Sequence, residues 1–203
     1  MPPMEAFSGE PDGTREAIMH ATYLALCEHG YAELTIDGIG DCFEKSPSLI
    51  YHHYDGKDDL LLDFLEFMLE EFETAVVPEP HDDAQSQLHA LLDHLLPASF
   101  EPERAAFTRA ISELRAQAAH DERYRAQVRK SNRLFHDRIA AIVRHGIDNG
   151  EFRAIDADQT AELLLTTING AMMQRVTTDD SAPIRAVRTE LDEYIDSRLL
   201  CTE

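Results

Sequence analysis

Apolar residues recur along this chain at helical spacing almost throughout, and strand alternation does not appear. Over residues 14–29, Ile18, Ala21, Thr22 and Ala25 share one face behind a candidate Thr14 cap. Gly30 follows where a helix end favours a left-handed residue. Thr35 is a good N-cap for a short helix over 36–43 that buries Ile36, Ile39 and Phe43. Ser46 caps a second short helix, with Pro47 at its first position, where the missing N–H costs nothing; it runs to about Tyr54 and Asp55-Gly56 ends it. From Lys57 to Thr74 the residues Leu60, Leu61, Leu62, Phe64, Leu65, Phe67 and Met68 cover most of a helix circumference. A helix apolar nearly all round is buried on most sides, so this one links two layers of structure.

Pro78, Pro80 and the acidic stretch 81–83 mark a loop. Helices are then predicted over 84–96, 102–119, 122–148, 157–177 and 181–200, with Asn149-Gly150 ending the third and Asp156 capping the fourth. The pattern predicts an all-α fold of about nine helices. Residues 1–13, rich in Gly, Pro, Ser and acid, read as a disordered arm, 14–56 as a three-helix domain, and 57–203 as a larger helical domain.

Composition changes this picture in one respect. Eighteen Lys and Arg face 39 Asp and Glu, a formal net charge of −21, and the lysines are Lys45, Lys57 and Lys130 alone. Affinity for nucleic acid rests largely on cations that neutralise phosphates, so the balance by itself argues against such a partner. The acids are spread along the whole chain, however, as in proteins of salt-loaded cytoplasms, where acid excess serves solubility. Even spacing favours that halophilic reading over a specific acidic patch. No apolar run approaches the roughly 18 residues that cross a bilayer, and the start lacks a basic-then-apolar signal pattern, so the cytoplasm is expected. Cys27, Cys42 and Cys201 are too few for a disulfide framework; Cys27 and Cys42 read as small core residues.

The informative segment is Thr35 to Leu61, TIDGIGDCFEKSPSLIYHHYDGKDDLL. Two short helices joined by a tight turn have the geometry of a helix-turn-helix. The second opens with Pro47, Ser48 and Leu49, small enough to enter a major groove. There Ser48 can bond a base edge or phosphate and Leu49 can touch a thymine methyl. Tyr51 and His52 follow at spacings that flank the groove, and Lys57 is placed as a phosphate clamp. His53 and Tyr54 fall toward the core side.

This segment resembles the DNA-binding domain of the tetracycline-repressor (TetR) family. Thr35, Ile39, Ser46, Ile50, Tyr51, His53, Tyr54, Lys57, Leu60 and Leu61 fall on the family pattern, and Gly30-Tyr31 matches the turn that closes the family's first helix. Together they cover about residues 14–62, and the Tyr-x-His-Tyr-x-x-Lys core is the specific part. A weaker likeness continues in Asn149-Gly150-Glu151-Phe152 and Ile168-Asn169-Gly170. Glu44 and Lys45 replace the usual Gly-Val of the turn, a gap that Phe43 would have to cover, and Asp37 and Asp41 stand where members often carry neutral or basic groups.

The resemblance implies a homodimeric, ligand-responsive repressor, not an enzyme, that binds a pseudo-palindromic operator of double-stranded DNA through Thr35, Ser46, Pro47, Ser48, Leu49, Tyr51, His52 and Lys57. It implies a cavity among the helices from 57–75 to 122–148, with Phe64, Phe67, Met68, Phe107, Ile111, Leu114, Phe135 and Met172 as candidate lining. Methionine and flat aromatic surfaces suit a hydrophobic or aromatic effector. A dimer interface built from 157–177 and 181–200 of each subunit is implied too, with Leu164, Leu165, Ile168, Leu191 and Tyr194 as candidates. Helix 57–75 is the natural lever between effector and DNA.

Ten histidines raise metal binding, but none pair at ligand spacing and no H-E-x-x-H or C-x-x-C occurs. A loop site at His81, Asp82 or Asp83 is the remaining candidate, and a solvated loop is the simpler reading, so no metal or cofactor is expected. No nucleophile–base constellation appears either. The competing class is an acidic helical small-molecule-binding module with lost or weak DNA binding, supported by Glu44, Lys45 and the acidity of the first domain.

Overall fold

The computed structural model describes residues 11–75, 83–97, 101–178 and 180–201. Most of the expected arm, residues 1–10, lies outside them, as do Pro78, Pro80, His81 and Asp82. Among the described residues there are nine α-helices and no strand, so the fold is all-α. They are α1 (Thr14–Glu33), α2 (Ile36–Asp41), α3 (Ser48–His53), α4 (Lys57–Ala75), α5 (Ala84–Leu95), α6 (Pro102–Ala116), α7 (Glu122–Asp148), α8 (Ala157–Thr178) and α9 (Ala182–Tyr194). A 3-10 turn (Gln117–Ala119) precedes α7, and a π turn (Ile195–Leu199) follows α9.

The chain forms two compact units, Met1–Val76 with Phe100–Arg129, and Val77–Ser99 with Lys130–Glu203. This grouping cuts across a division at residue 57. The reason is packing: α1 lies chiefly against α6, and Leu60, Leu61 and Phe64 of α4 enter the same core as Ile18, Leu26 and Phe107.

In the first unit the predicted face of α1 is buried in full: Ile18, Ala21, Thr22 and Ala25. Its cap differs from expectation. Gly13 is the N-cap with no side-chain bond, and the Glu16 carboxylate accepts the Asp12 N–H at 2.7 Å instead. Gly30 breaks the helix at φ 68°, a left-handed value that favours glycine. Thr35 does cap α2, its Oγ1 accepting the Gly38 N–H at 3.0 Å. Helix α4 is buried on most sides, as its composition predicts, with Leu60, Leu61 and Phe64 fully enclosed.

In the second unit α7 ends on Gly150 at φ 76°. The Glu151 N–H donates to the Gly146 carbonyl at 2.9 Å and the Gly150 N–H to that of Ile147 at 3.1 Å, a Schellman closure. Glu151 then accepts the Ala84 N–H at 2.7 Å and so serves the start of α5, which Asp83 also caps through the Ser86 N–H. The predicted helix over 181–200 gives way to the π turn after Tyr194, which buries both Ile195 and Leu199. Beyond it Leu200 pairs with Phe152 in an isolated antiparallel bridge.

Candidate nucleic-acid interface

Helices α2 and α3 are each six residues long, too short to hold an orientation without tertiary contacts. Three contacts set it. Ile39 of α2 and Ile50 of α3 are fully buried in one core. Phe43 is buried beside them, covering the turn as the Glu44-Lys45 replacement requires, and Glu44 and Lys45 face solvent. Gly40 faces Pro47 so closely that a β-carbon would stand 3.1 Å from that of Pro47, which lets the start of α3 close onto α2.

The opening of α3 departs from a side-chain cap. Pro47 takes the N-cap position, the Ser46 carbonyl accepts the Leu49 N–H at 3.0 Å, and the Ser46 and Ser48 hydroxyls bond each other at 2.8 Å. Ser46, Pro47, Ser48, Tyr51 and His52 are all exposed, Tyr51 at 59%. Leu49 is half-buried and packs against the core, so its side chain serves cohesion as well as any base contact. Of the two residues expected to pack inward, Tyr54 does so, whereas His53 is exposed. One turn of a short helix can bury one flank, and Ile50 and Tyr54 occupy it.

The cations of this region are mostly engaged within the chain. Lys57 donates from Nζ to the Tyr31 carbonyl at 2.7 Å and lies 4.4 Å from the centroid of the Tyr31 ring. Burial lowers its pKa. It therefore closes the broken end of α1, in addition to its expected place beside DNA. Arg15 is bound to Asp63 and Glu70 of α4. Tyr51 donates its hydroxyl to Asp37 at 2.8 Å, which raises the pKa of the phenol. That partner, fourteen residues away, and the Arg15 contacts were missed in the sequence: each crosses between helices, where spacing carries no signal.

Six of the eight candidate effector residues belong to the first unit. Phe64, Phe67, Phe107 and Leu114 are buried in its core, and Met68 and Ile111 are partly buried against it. Phe135 and Met172, both half-buried, belong to the second. The rings of Phe64 and Phe107 meet edge to face at 6.2 Å, and Tyr23 approaches Phe107 at 4.9 Å.

The candidate dimer residues are placed differently from expectation. Leu164, Leu165, Ile168 and Leu191 are buried within their own chain, and Tyr194 is half-buried. The apolar stripe read from periodicity is the intramolecular face. The outer face of α8 carries Leu163 at 48% and Met173 at 46% exposure, with exposed Gly170 between them. No group of three or more His, Cys, Asp or Glu side chains able to hold a metal ion occurs among the described residues. No described helix is long and apolar enough to cross a membrane.

Comparison with known proteins agrees with this architecture. A family model described as BetI-type transcriptional repressor, C-terminal, matches residues 80–200. A TetR transcription regulator from Haloarcula marismortui is 38% identical, with a TM-score of 0.82 over 91% of this chain and 97% of that one. A transcriptional regulator from Saccharomonospora viridis, crystallised in complex with choline, shares the fold at 23% identity, with a TM-score of 0.78 over 93% of this chain and 98% of that one. The HTH-type transcriptional repressor AcnR of Corynebacterium efficiens is 21% identical over 87% of this chain and 88% of its own length. These relatives are regulators of transcription, not enzymes. With a helix-turn-helix of the expected construction and a match spanning more than half its length, the chain belongs to the TetR family of transcriptional regulators.

Proposed function

We propose that this protein is a repressor that binds a pseudo-palindromic operator as a homodimer and is released by a small molecule. The observation that carries the reading is the exposure of Ser48, Tyr51 and His52 on one side of α3 while Ile50 on the other anchors it in the core. Those side chains supply two hydroxyls and an imidazole for base edges and phosphates. A dimer would set two copies of α3 about one helical turn of DNA apart. The exposed face of α8, with Leu163, Gly170 and Met173, is the surface that supports pairing. Acid excess fits a protein that works at high salt, in keeping with its Haloarcula relative.

The test is selection of duplexes from a random-sequence library in molar KCl, followed by footprinting on the enriched sequence. A protected two-fold site is expected. Absence of enrichment would favour the second reading, a small-molecule-binding module without DNA recognition. The engagement of Lys57 and Arg15 within the chain, together with that of the Tyr51 hydroxyl by the acidic Asp37, supports that alternative.

The effector is proposed as a quaternary ammonium compound in preference to the hydrophobic or aromatic one expected from the sequence. The choline complex of the Saccharomonospora relative supports this, because aromatic ring faces attract such cations. Choline should raise the melting temperature and release the selected duplex; release by indole and not by choline would reverse the assignment.

A further inference from the structure

Three elements of the first unit meet at one carboxylate. Asp63, in the second turn of α4, accepts Arg15 Nη2 at 2.6 Å and Arg15 Nε at 3.1 and 3.2 Å on its two oxygens. The Tyr54 hydroxyl donates to the same group at 2.5 Å. Arg15 also reaches Glu70 with Nη1 at 2.9 Å, and its guanidinium lies 5.6 Å from the centroid of the Phe67 ring. Asp63, Phe67 and Glu70 stand at i, i+4 and i+7, so Arg15 lies along one face of α4 for two turns. Tyr54 is the first residue beyond α3, and its ring is buried.

We infer that Arg15 is a positioning residue for operator recognition: through Asp63 it holds the Tyr54 hydroxyl, and with it the C-terminal end of α3, against α4. This rests on the reading of α3 as the groove-entering helix. The physical case begins with length. A helix of six residues has little stability of its own, so tertiary contacts must fix its direction. At its middle that contact is Ile50, which is apolar and sets depth but not rotation. At its end the contact is Tyr54, whose hydroxyl is directional. The hydrogen bonds that read bases weaken steeply with distance and angle, so a small rotation of α3 is enough to degrade them. The planar guanidinium fork fixes the carboxylate in orientation as well as in place, which an ammonium cannot do. Burial disfavours ionisation of Asp63, yet the bonds from Arg15 and Tyr54 outweigh it and hold the carboxyl below the usual range.

An ordinary exposed ion pair would contribute little to stability and nothing to DNA binding. The experiment separates these roles. The full-length wild type is used to select a duplex, and its affinity for that duplex is compared with Arg15→Gln, Tyr54→Phe and the double variant by fluorescence anisotropy across a KCl series, alongside melting temperatures. Tyr54→Phe changes no charge and little volume, so it reports orientation alone. Each single variant should bind about tenfold more weakly. The double variant should lose little more than the weaker single, because both break one coupled contact. The salt dependence should keep its slope and the melting temperature should move by a few degrees at most. Three results would overturn the inference: affinities within about twofold of wild type, a slope altered by about one phosphate in Arg15→Gln, or losses that track the unfolded fraction. Failure of the wild type to select any duplex would overturn the recognition-helix reading and the clamp together.

Discussion

The Tyr51 hydroxyl donates to Asp37 at 2.8 Å, joining the exposed sides of α3 and α2. A group suited to a phosphate is thereby held on a carboxylate, and the carboxylate itself repels the duplex. Asp37→Asn removes the repulsion and weakens the hold on Tyr51. We expect about fivefold tighter binding to the selected duplex at low salt, with the advantage shrinking as salt rises. Binding equal to or weaker than wild type in an anisotropy titration would show that the pair is needed as it stands.

Salt should act on this protein in an unusual direction. With a formal charge of −21, the chain needs cations to approach DNA. Operator affinity is expected to fall weakly, or to rise, between about 0.1 M and molar KCl, where an ordinary basic binder loses orders of magnitude. A steep loss over that range would remove the screening argument.

Gly146 lies against the ring of Phe152, where a β-carbon would stand 2.3 Å from Cδ2. Phe152 is enclosed and tied through its backbone to the Gly146 carbonyl, so the ring cannot retreat without opening the Schellman closure. Gly146→Ala should cost about 1–3 kcal/mol, despite alanine's better helix propensity, and lower the melting temperature by several degrees. An unchanged or higher melting temperature would mean that the ring moves freely.

Two leucines one residue apart on α8 should behave oppositely. Leu163→Glu, alone or with Met173→Glu, places charge on the outer face and is expected to yield a folded monomer by light scattering. Leu164→Ala opens a cavity in the subunit core and should destabilise it by about 2–5 kcal/mol. A dimer that survives the double glutamate substitution would shift the interface elsewhere.

Acid should release the clamp at Asp63. Its folded-state pKa is lowered, so its contribution is present above the unfolded value of about 4 and is lost as pH falls through the folded value. Asp63→Asn should therefore melt below wild type at neutral pH, and the gap should close at pH below about 4. A gap independent of pH would assign it to packing.

The Thr35 cap, the Gly30 break, the Gly150 ending and the enclosed α4 all follow from local spacing, because caps and helix ends are satisfied within a few residues of themselves. The helix-turn-helix was legible for the same reason, and Phe43 fills the turn that Glu44 and Lys45 left open. The ends of elements were less so. Gly13 takes the N-cap position in place of Thr14 with no side-chain bond, and the Ser46 and Ser48 hydroxyls bond each other in place of a helix N–H, because the first N–H groups of a helix can be left to solvent as well as capped.

Periodicity showed that α8 has an apolar stripe but not what covers it; packing against its own chain buries Leu164, Leu165 and Ile168 and leaves Leu163 and Met173 outside. Likewise composition counted the charges, whereas contacts between α1, α3 and α4 chose which of them meet. Arg15 finds Asp63 forty-eight residues away, and Lys57 finds Tyr31 at twenty-six. Helix type is a property of neighbours in the chain. Which helix faces which, and therefore which cation remains for DNA, depends on how apolar faces pack in three dimensions.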